Sequence, residues 1–327
     1  MRVGFVGLGL MGLPMARHLI AAGHELFVAS TSPRPLEILA ADGATLCADP
    51  RQIAERVEVF FSCRVTPDQS RETFLGDTGA IRAGNRDLLC IDLSTIDPDT
   101  SKAIGQALAA EGMGFLDAPI SGGPDGAAAK TLSIIVGGAA ADVERARPLF
   151  DLLGKKVFHM GPVGAGVAAK LCNNMISITT HALLAEAMVL GVKAGIDAQR
   201  LYEVLSASSA GSRSLERVVP HHFLNRDFEP AVMMATVLKD LECAVDTGRK
   251  LGVRLLLPNV ALQCFVEAMG LGHTGDIASV ILPMEAIAGV TVGSARASGR
   301  TGRYAAETAG FRGLSAAMDH RCHEERN

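Results

Sequence analysis

The sequence predicts an α/β domain on a doubly wound, largely parallel sheet, followed by an all-helical domain reached through one long helix. Three observations carry this prediction. Short apolar runs alternate with helix-length segments through the first half of the chain, the pattern of βαβ units. A proline-free stretch rich in Ala, Leu, Met and Val runs from about 164 to 194, long enough for a helix of about 45 Å. Beyond it, no segment reads convincingly as a strand.

Strands are expected at 2–8, 25–30, 57–63, 87–94, 115–121, 132–137 and 157–160. Most are continuous apolar runs, as strands covered on both faces should be. Helix-length stretches lie between them at 12–22, 98–111 and 140–153. After the long helix, helical patterns follow at about 197–207, 232–251 and 259–269. The expected domains are therefore 1–163 and 164–295. A tail over 296–327, rich in Gly, Ala, Ser and Arg before a polar end, reads as a frayed extension or an arm laid on a neighbouring subunit.

With 327 residues the chain suits about two domains. Hydrophobic residues make up 48% and charged residues 20%, enough to bury a large core. Aromatics are 4% with no Trp, so that core must be mainly aliphatic. The net charge of −4 is spread without a basic stripe, which argues against nucleic acid as a partner. Seven cysteines without a CxxC pair read as reduced thiols. No apolar run is expected to reach the ~20 residues that span a bilayer, and the N-terminus enters a strand at once. Cytoplasm follows as the expected compartment.

Gly7-Leu8-Gly9-Leu10-Met11-Gly12 matches GxGxxG. Its context strengthens the match, because it directly follows an apolar strand and opens a helix. In that setting Gly7 makes the tight turn, Gly9 lets backbone approach a pyrophosphate, and Gly12 allows close helix–strand packing. The helix N-terminus then offers amides and a positive dipole end to phosphate. The first domain thus reads as a Rossmann domain for a nicotinamide dinucleotide. The second strand should end in an acid if the ribose hydroxyls of NAD are read there. It ends instead in Ser30-Thr31-Ser32-Pro33-Arg34. Small hydroxyls plus Arg34 suit a 2′-phosphate, so NADP is favoured over NAD.

Lys170 and Asn174 stand at i and i+4, on one face of the long helix at the expected domain junction. An alcohol oxidised by hydride transfer must also lose its hydroxyl proton, and a lysine with a lowered pKa can take it. Asp117-Ala118-Pro119-Ile120-Ser121-Gly122-Gly123 follows a strand. Ser121 and the amides of Gly122 and Gly123 could cradle a carboxylate.

Four ordered blocks resemble the β-hydroxyacid dehydrogenase family, which includes 3-hydroxyisobutyrate dehydrogenases and tartronate semialdehyde reductases. They are Gly4 to Gly12 with Pro14-Met15-Ala16; Asp117 to Gly123 with Gly126-Ala127 and Thr131-Leu132; Gly164-x-Gly166-x-x-x-Lys170-x-x-Asn173-Asn174; and Lys239-Asp240-Leu241. The resemblance covers about residues 1–290. It implies that Lys170 is the general acid/base and that Ser121, Gly122, Gly123 and Asn174 hold the substrate's carboxylate and hydroxyl. It further implies that Lys239 reaches across the cleft toward the cofactor, with Asp240 orienting it. Thr95, in the segment Asp92-Leu93-Ser94-Thr95, would lie near the nicotinamide ribose, and Val65, Thr66 and Pro67 beneath the adenosine side. Imine-reducing relatives of this fold are expected to replace the lysine with Asp or Tyr, so Lys170 points to alcohol and carbonyl chemistry. A non-catalytic dinucleotide-binding module is the rival reading. The sequence departs from the family in having Ala231-Val232 where Gly-Phe is usual.

No metal is expected: His221-His222 lacks acids or thiols at ligand spacing and reads as a surface or interface pair. Asp97-Pro98-Asp99 reads as a helix start. Gly272 to Asp276 either borders the site or caps a helix. The apolar long helix and Ala-rich second half predict a homodimer or homotetramer.

Overall fold

The structure is a computed structural model that describes residues 1–230 and 232–294; the predicted tail over 296–327 lies outside them. The first domain runs β1 (Arg2–Val6), α1 (Gly12–Ala21), β2 (Glu25–Ala29), α2 (Pro33–Ala41), β3 (Thr45–Leu46), α3 (Pro50–Ala54), β4 (Val59–Ser62), α4 (Pro67–Leu75), β5 (Leu89–Asp92), α5 (Pro98–Ala110), β6 (Gly114–Asp117), β7 (Ile120–Ser121), α6 (Gly123–Ala128), β8 (Leu132–Gly137), α7 (Ala140–Leu153) and β9 (Gly154–Gly161). The sheet order is β3-β2-β1-β4-β5-β6-β8-β7, with β9 also paired to β8. From β3 to β6 every pairing is parallel. The strand order reverses between β1 and β4, which opens a crevice at the carboxyl ends of those two strands.

Period-2 alternation decides which side chains meet which helices. Val3, Phe5, Val59 and Phe61 point to one face, among Met15 and Leu19 of α1 and Phe150 of α7. Val6 and Phe60 point to the other, among Ile53 of α3, Phe74 of α4 and Ile104 of α5. The few aromatics are concentrated here. Phe5 and Phe61 stack at 5.8 Å, and Phe61 meets Phe150 edge-on at 6.4 Å.

One expectation about the sheet needs correction. The strand predicted over 115–121 is broken after Asp117, because Pro119 has no amide to donate to a ladder. Its second piece, β7, turns to pair antiparallel with β8, and β6 touches β8 antiparallel as well. The sheet is therefore mixed at this end. The two-residue β3 was also unforeseen, being too short to show a period.

The second domain is α8 (Ala165–Lys193), α9 (Ala198–Ala207), α10 (Arg213–Val218), a π turn (Val219–Leu224), α11 (Met234–Lys250), α12 (Leu256–Gly270), a 3-10 turn (Ile277–Val280) and α13 (Ile281–Ala288). Among the described residues it contains no strand. Ile178, Ala182, Ala185 and Val189 of α8 share a core with Val237 and Leu241 of α11 and Phe265 of α12. The expectation that no apolar segment reaches membrane-spanning length is overturned by α8. Its 29 residues include an 18-residue window of mean hydropathy 1.6, long and apolar enough to cross a bilayer. One side of it packs against α11, α12 and α13, with 39% of that window buried, and Lys170 lies in its second turn.

Candidate active site

The glycine loop occupies the crevice between β1 and β4. Gly7 sits at φ +86°, and a Cβ there would lie 2.0 Å from the carbonyl oxygen of Cys63. Only glycine lets the loop after β1 lie directly on the loop after β4. Leu8, Gly9, Leu10 and Met11 then lead into α1, whose first turn has no side-chain cap. Leu13 already donates its amide to the Gly9 carbonyl at 3.0 Å and Pro14 has none to give, so the loop amides up to Gly12 are the ones left for an anion. This bare, close-approached helix start fits the pyrophosphate of a dinucleotide.

Ser30, Thr31, Ser32 and Arg34 follow β2, with Thr31, Ser32 and Arg34 exposed. Ser30 Oγ accepts the Ser32 amide at 3.0 Å, which ties the turn into shape. On the other side of the crevice, the Val65 side chain is 49% exposed. Thr66 caps α4 by accepting the Gln69 amide. Below them lies a brace that the sequence did not announce. Ser94 donates its hydroxyl to the buried Asp92 carboxylate and accepts the Arg64 amide at 2.8 Å, while Arg64 Nε donates to Thr73. Burial raises the Asp92 pKa, and the Ser94 contacts oppose the rise.

Lys170 is 7% exposed. Among the described residues no hydrogen bond or ion pair holds its ammonium. Burial lowers its pKa to about 8; the charge of Lys239 pushes the same way and that of Asp240 pushes back. Both neighbours belong to one chain of contacts. Asn174 Nδ2 donates to Asp240 Oδ2 at 2.6 Å, and Asp240 Oδ1 pairs with Lys239 Nζ at 2.5 Å. Lys239 also donates to the carbonyl of Thr95, just past β5. Lys170 and Asn174 of α8, Lys239 and Asp240 of α11 and Thr95 of the sheet domain therefore converge at the domain junction. One amide hydrogen of Asn174 is spent on Asp240, leaving the second for a ligand.

Ser121 is half-buried at the end of β7. Gly122 and Gly123 turn the chain with φ +144° and +67° and start α6. Asp117, four residues earlier, has a role that the sequence did not suggest. Its buried carboxylate accepts the Gly164 amide at 2.7 Å through Oδ1 and the Val167 amide at 2.8 Å through Oδ2. These partners lie 47 and 50 residues away, beyond any local signal. His18 of α1 is a second unforeseen tie; its Nε2 donates to the carbonyls of Ala127 and Ala128 at 3.0 and 3.1 Å. The helix that follows the glycine loop is thereby pinned to the helix that follows Ser121.

Several of the residues set aside have structural partners. Asp97 caps α5, and Asp276 caps the 3-10 turn while accepting the Val232 amide at 2.9 Å. His222 Nδ1 donates to the Asp227 carbonyl at 2.7 Å.

Comparisons with known proteins match both halves of the chain. Residues 2–161 match the NAD-binding domain of 6-phosphogluconate dehydrogenase. Residues 164–284 match the NAD-binding domain of NADP-dependent 3-hydroxyisobutyrate dehydrogenase. The chain is 43% identical to a 3-hydroxyisobutyrate dehydrogenase of Pseudomonas aeruginosa, over 67% of this chain and 73% of that one. It is 32% identical to the 2-(hydroxymethyl)glutarate dehydrogenase of Eubacterium barkeri, over 89% and 97%. Among solved structures, a Mycobacterium tuberculosis 3-hydroxyisobutyrate dehydrogenase with L-serine superposes with a TM-score of 0.81 at 31% identity, covering 87% of this chain and 99% of that one. Domain order, glycine crevice and matched relatives agree: the chain belongs to the β-hydroxyacid dehydrogenase family, NAD(P)-dependent oxidoreductases that interconvert a hydroxyacid and its carbonyl counterpart.

Proposed function

We propose that Lys170 is the general acid/base of this oxidoreductase, acting on a small carboxylate whose hydroxyl sits on the β carbon. The observation that carries this reading is a buried ammonium with no fixed partner and a pKa of about 8, at the junction of the two domains. A group titrating near the working pH can both take and return a proton. The free hydrogen of Asn174 Nδ2 orients the reacting oxygen, while Ser121 and the amides of Gly122 and Gly123 hold the carboxylate. The crevice formed by Gly7, Leu8, Gly9, Leu10, Met11 and Gly12 takes the pyrophosphate, between Val65 and Thr66 on one side and Ser30, Thr31, Ser32 and Arg34 on the other. Thr95, Lys239 and Asp240 border the nicotinamide end. The bound nicotinamide supplies or accepts the hydride.

The absence of an acid at the end of β2 supports NADP over NAD. Three exposed side chains of α8, Ile176, Leu183 and Leu190, are 65%, 62% and 72% accessible and fall seven residues apart. That single stripe is the pattern of a helix paired with another, which supports a homodimer or homotetramer. The free thiols suit the reducing compartment of a cytoplasmic enzyme.

The decisive test is Lys170→Ala, assayed at saturating cofactor against small hydroxyacids and semialdehydes. Turnover should fall by about 10²–10⁴ while cofactor affinity holds. Near-wild-type turnover would refute the reading.

A further inference from the structure

Asp117 is a fully buried carboxylate at the last position of β6. Each of its oxygens takes a different amide from the start of α8, Gly164 N at 2.7 Å and Val167 N at 2.8 Å. Only an ionised carboxylate accepts freely at both oxygens; an amide or a hydroxyl brings a donor into the same space. Burial opposes that charge and raises the Asp117 pKa to about 6, even though the two amides lower it. A neutral cap would avoid that cost, so the carboxylate suggests a task beyond ending a helix.

Two chain segments leave this point. Forward from Asp117 the chain reaches Ser121 within four residues. Forward from Val167, α8 reaches Lys170 within one turn. A second feature presses the same turn onto the strands. A Cβ on Gly166 would lie 2.5 Å from the Ile135 carbonyl and 2.6 Å from the Asp117 carbonyl, so the helix rests on bare backbone.

We propose that Asp117 is the positioning residue of the reaction, its carboxylate holding the first turn of α8 so that Lys170 keeps a fixed place relative to the Ser121–Gly123 loop. This rests on the reading of Lys170 as proton carrier. Other ionisable groups surround Asp117. Asp92 on β5 adds like charge. The side chain of Lys102 on α5 lies against Gly164. His159 on β9 donates to the Gly138 and Gly161 carbonyls.

The test compares Asp117→Asn, Lys170→Met and the double variant in the reductive direction. Cofactor affinity is read from nicotinamide fluorescence and folding from thermal melts. Asp117→Asn should lower kcat by about ten- to a hundredfold, the scale of a displacement of about 1 Å, with cofactor Kd within about twofold. The double variant should match Lys170→Met alone, because Asp117 acts only through that lysine. Reduction needs Lys170 protonated, so Lys170 itself gives no loss at acid pH. Wild-type kcat should nevertheless fall below about pH 6 while circular dichroism is unchanged, and this limb should be absent in Asp117→Asn.

The proposal is overturned if Asp117→Asn keeps kcat within about twofold of wild type, or if its loss adds in full to that of Lys170→Met. Should Asp117→Asn fail to fold, the wild-type acid limb decides alone, and a flat profile overturns the proposal. Should Lys170→Met remain active, the reading of the lysine fails first, and the positioning role falls with it.

Discussion

Lys239 on α11 donates its ammonium to the carbonyl of Thr95 past β5, so the helical domain is hydrogen-bonded to the sheet domain beside the proposed proton carrier. The same ammonium pairs with Asp240, and the two charges act on Lys170 in opposite senses. Lys239→Met removes a like charge and should move the Lys170 titration to higher pH. Asp240→Asn removes an opposite charge and should move it lower. The pH dependence of kcat/KM reads both shifts, and a common direction would contradict the arrangement.

In the wild type, oxidation requires neutral Lys170 and should rise with pH through about 8, whereas reduction requires the ammonium and should fall through the same range. Lys170→Gln should flatten both profiles. Initial rates between pH 6 and 10 in the two directions provide the check.

The same lysine should cost stability. Its folded pKa of about 8 lies below the 10.5 of an ordinary lysine. The folded state therefore binds fewer protons between those values, and stability should rise as pH increases from about 8 to 10.5. The penalty is fully present below that window and is on the order of 3 kcal/mol. Lys170→Met should be more stable than wild type at pH 7 and lose that slope. Urea denaturation at several pH values measures it.

Gly7→Ala places a methyl into the Cys63 carbonyl at a φ of +86°. The left-handed φ alone costs about 1–3 kcal/mol, and the overlap with the Cys63 backbone adds to it, so stability and cofactor affinity should both fall as the crevice opens. Thermal melting and cofactor titration should both register the change.

If α8 pairs with its counterpart in a second copy, Leu183→Glu buries a charge in the seam. The variant should elute as a smaller species in size-exclusion chromatography with light scattering. An unchanged mass would place the subunit contact elsewhere.

The parts of the proposed site that the sequence could nominate carry local signals, and the family resemblance rather than spacing alone singled out the Lys170 and Asn174 pair. The glycine loop carries its own spacing, and Lys170 and Asn174 fall one helical turn apart. The long helix needed only composition and the absence of proline. The hidden parts depend on contacts without a period. Thr95 and Lys239 are 144 residues apart, and Asp117 meets amides 47 and 50 residues away. The break at Pro119 was visible as a residue. Its outcome, a strand that reverses to pair with β8, depended on where β8 lay. α10 and α13 are six and eight residues long, too short for a helical period to stand out.

The anchored start of α8 also sets how far motion of the second domain reaches the chemistry. Were α8 to tilt about that end, displacement along its 29 residues would grow with distance from it. Lys170 lies about 6 Å from that pivot and Leu190 about 36 Å, at 1.5 Å per residue. A tilt of about 1° would carry Leu190 some 0.6 Å but Lys170 only about 0.1 Å. The far end can flex with its neighbours while the lysine stays nearly still.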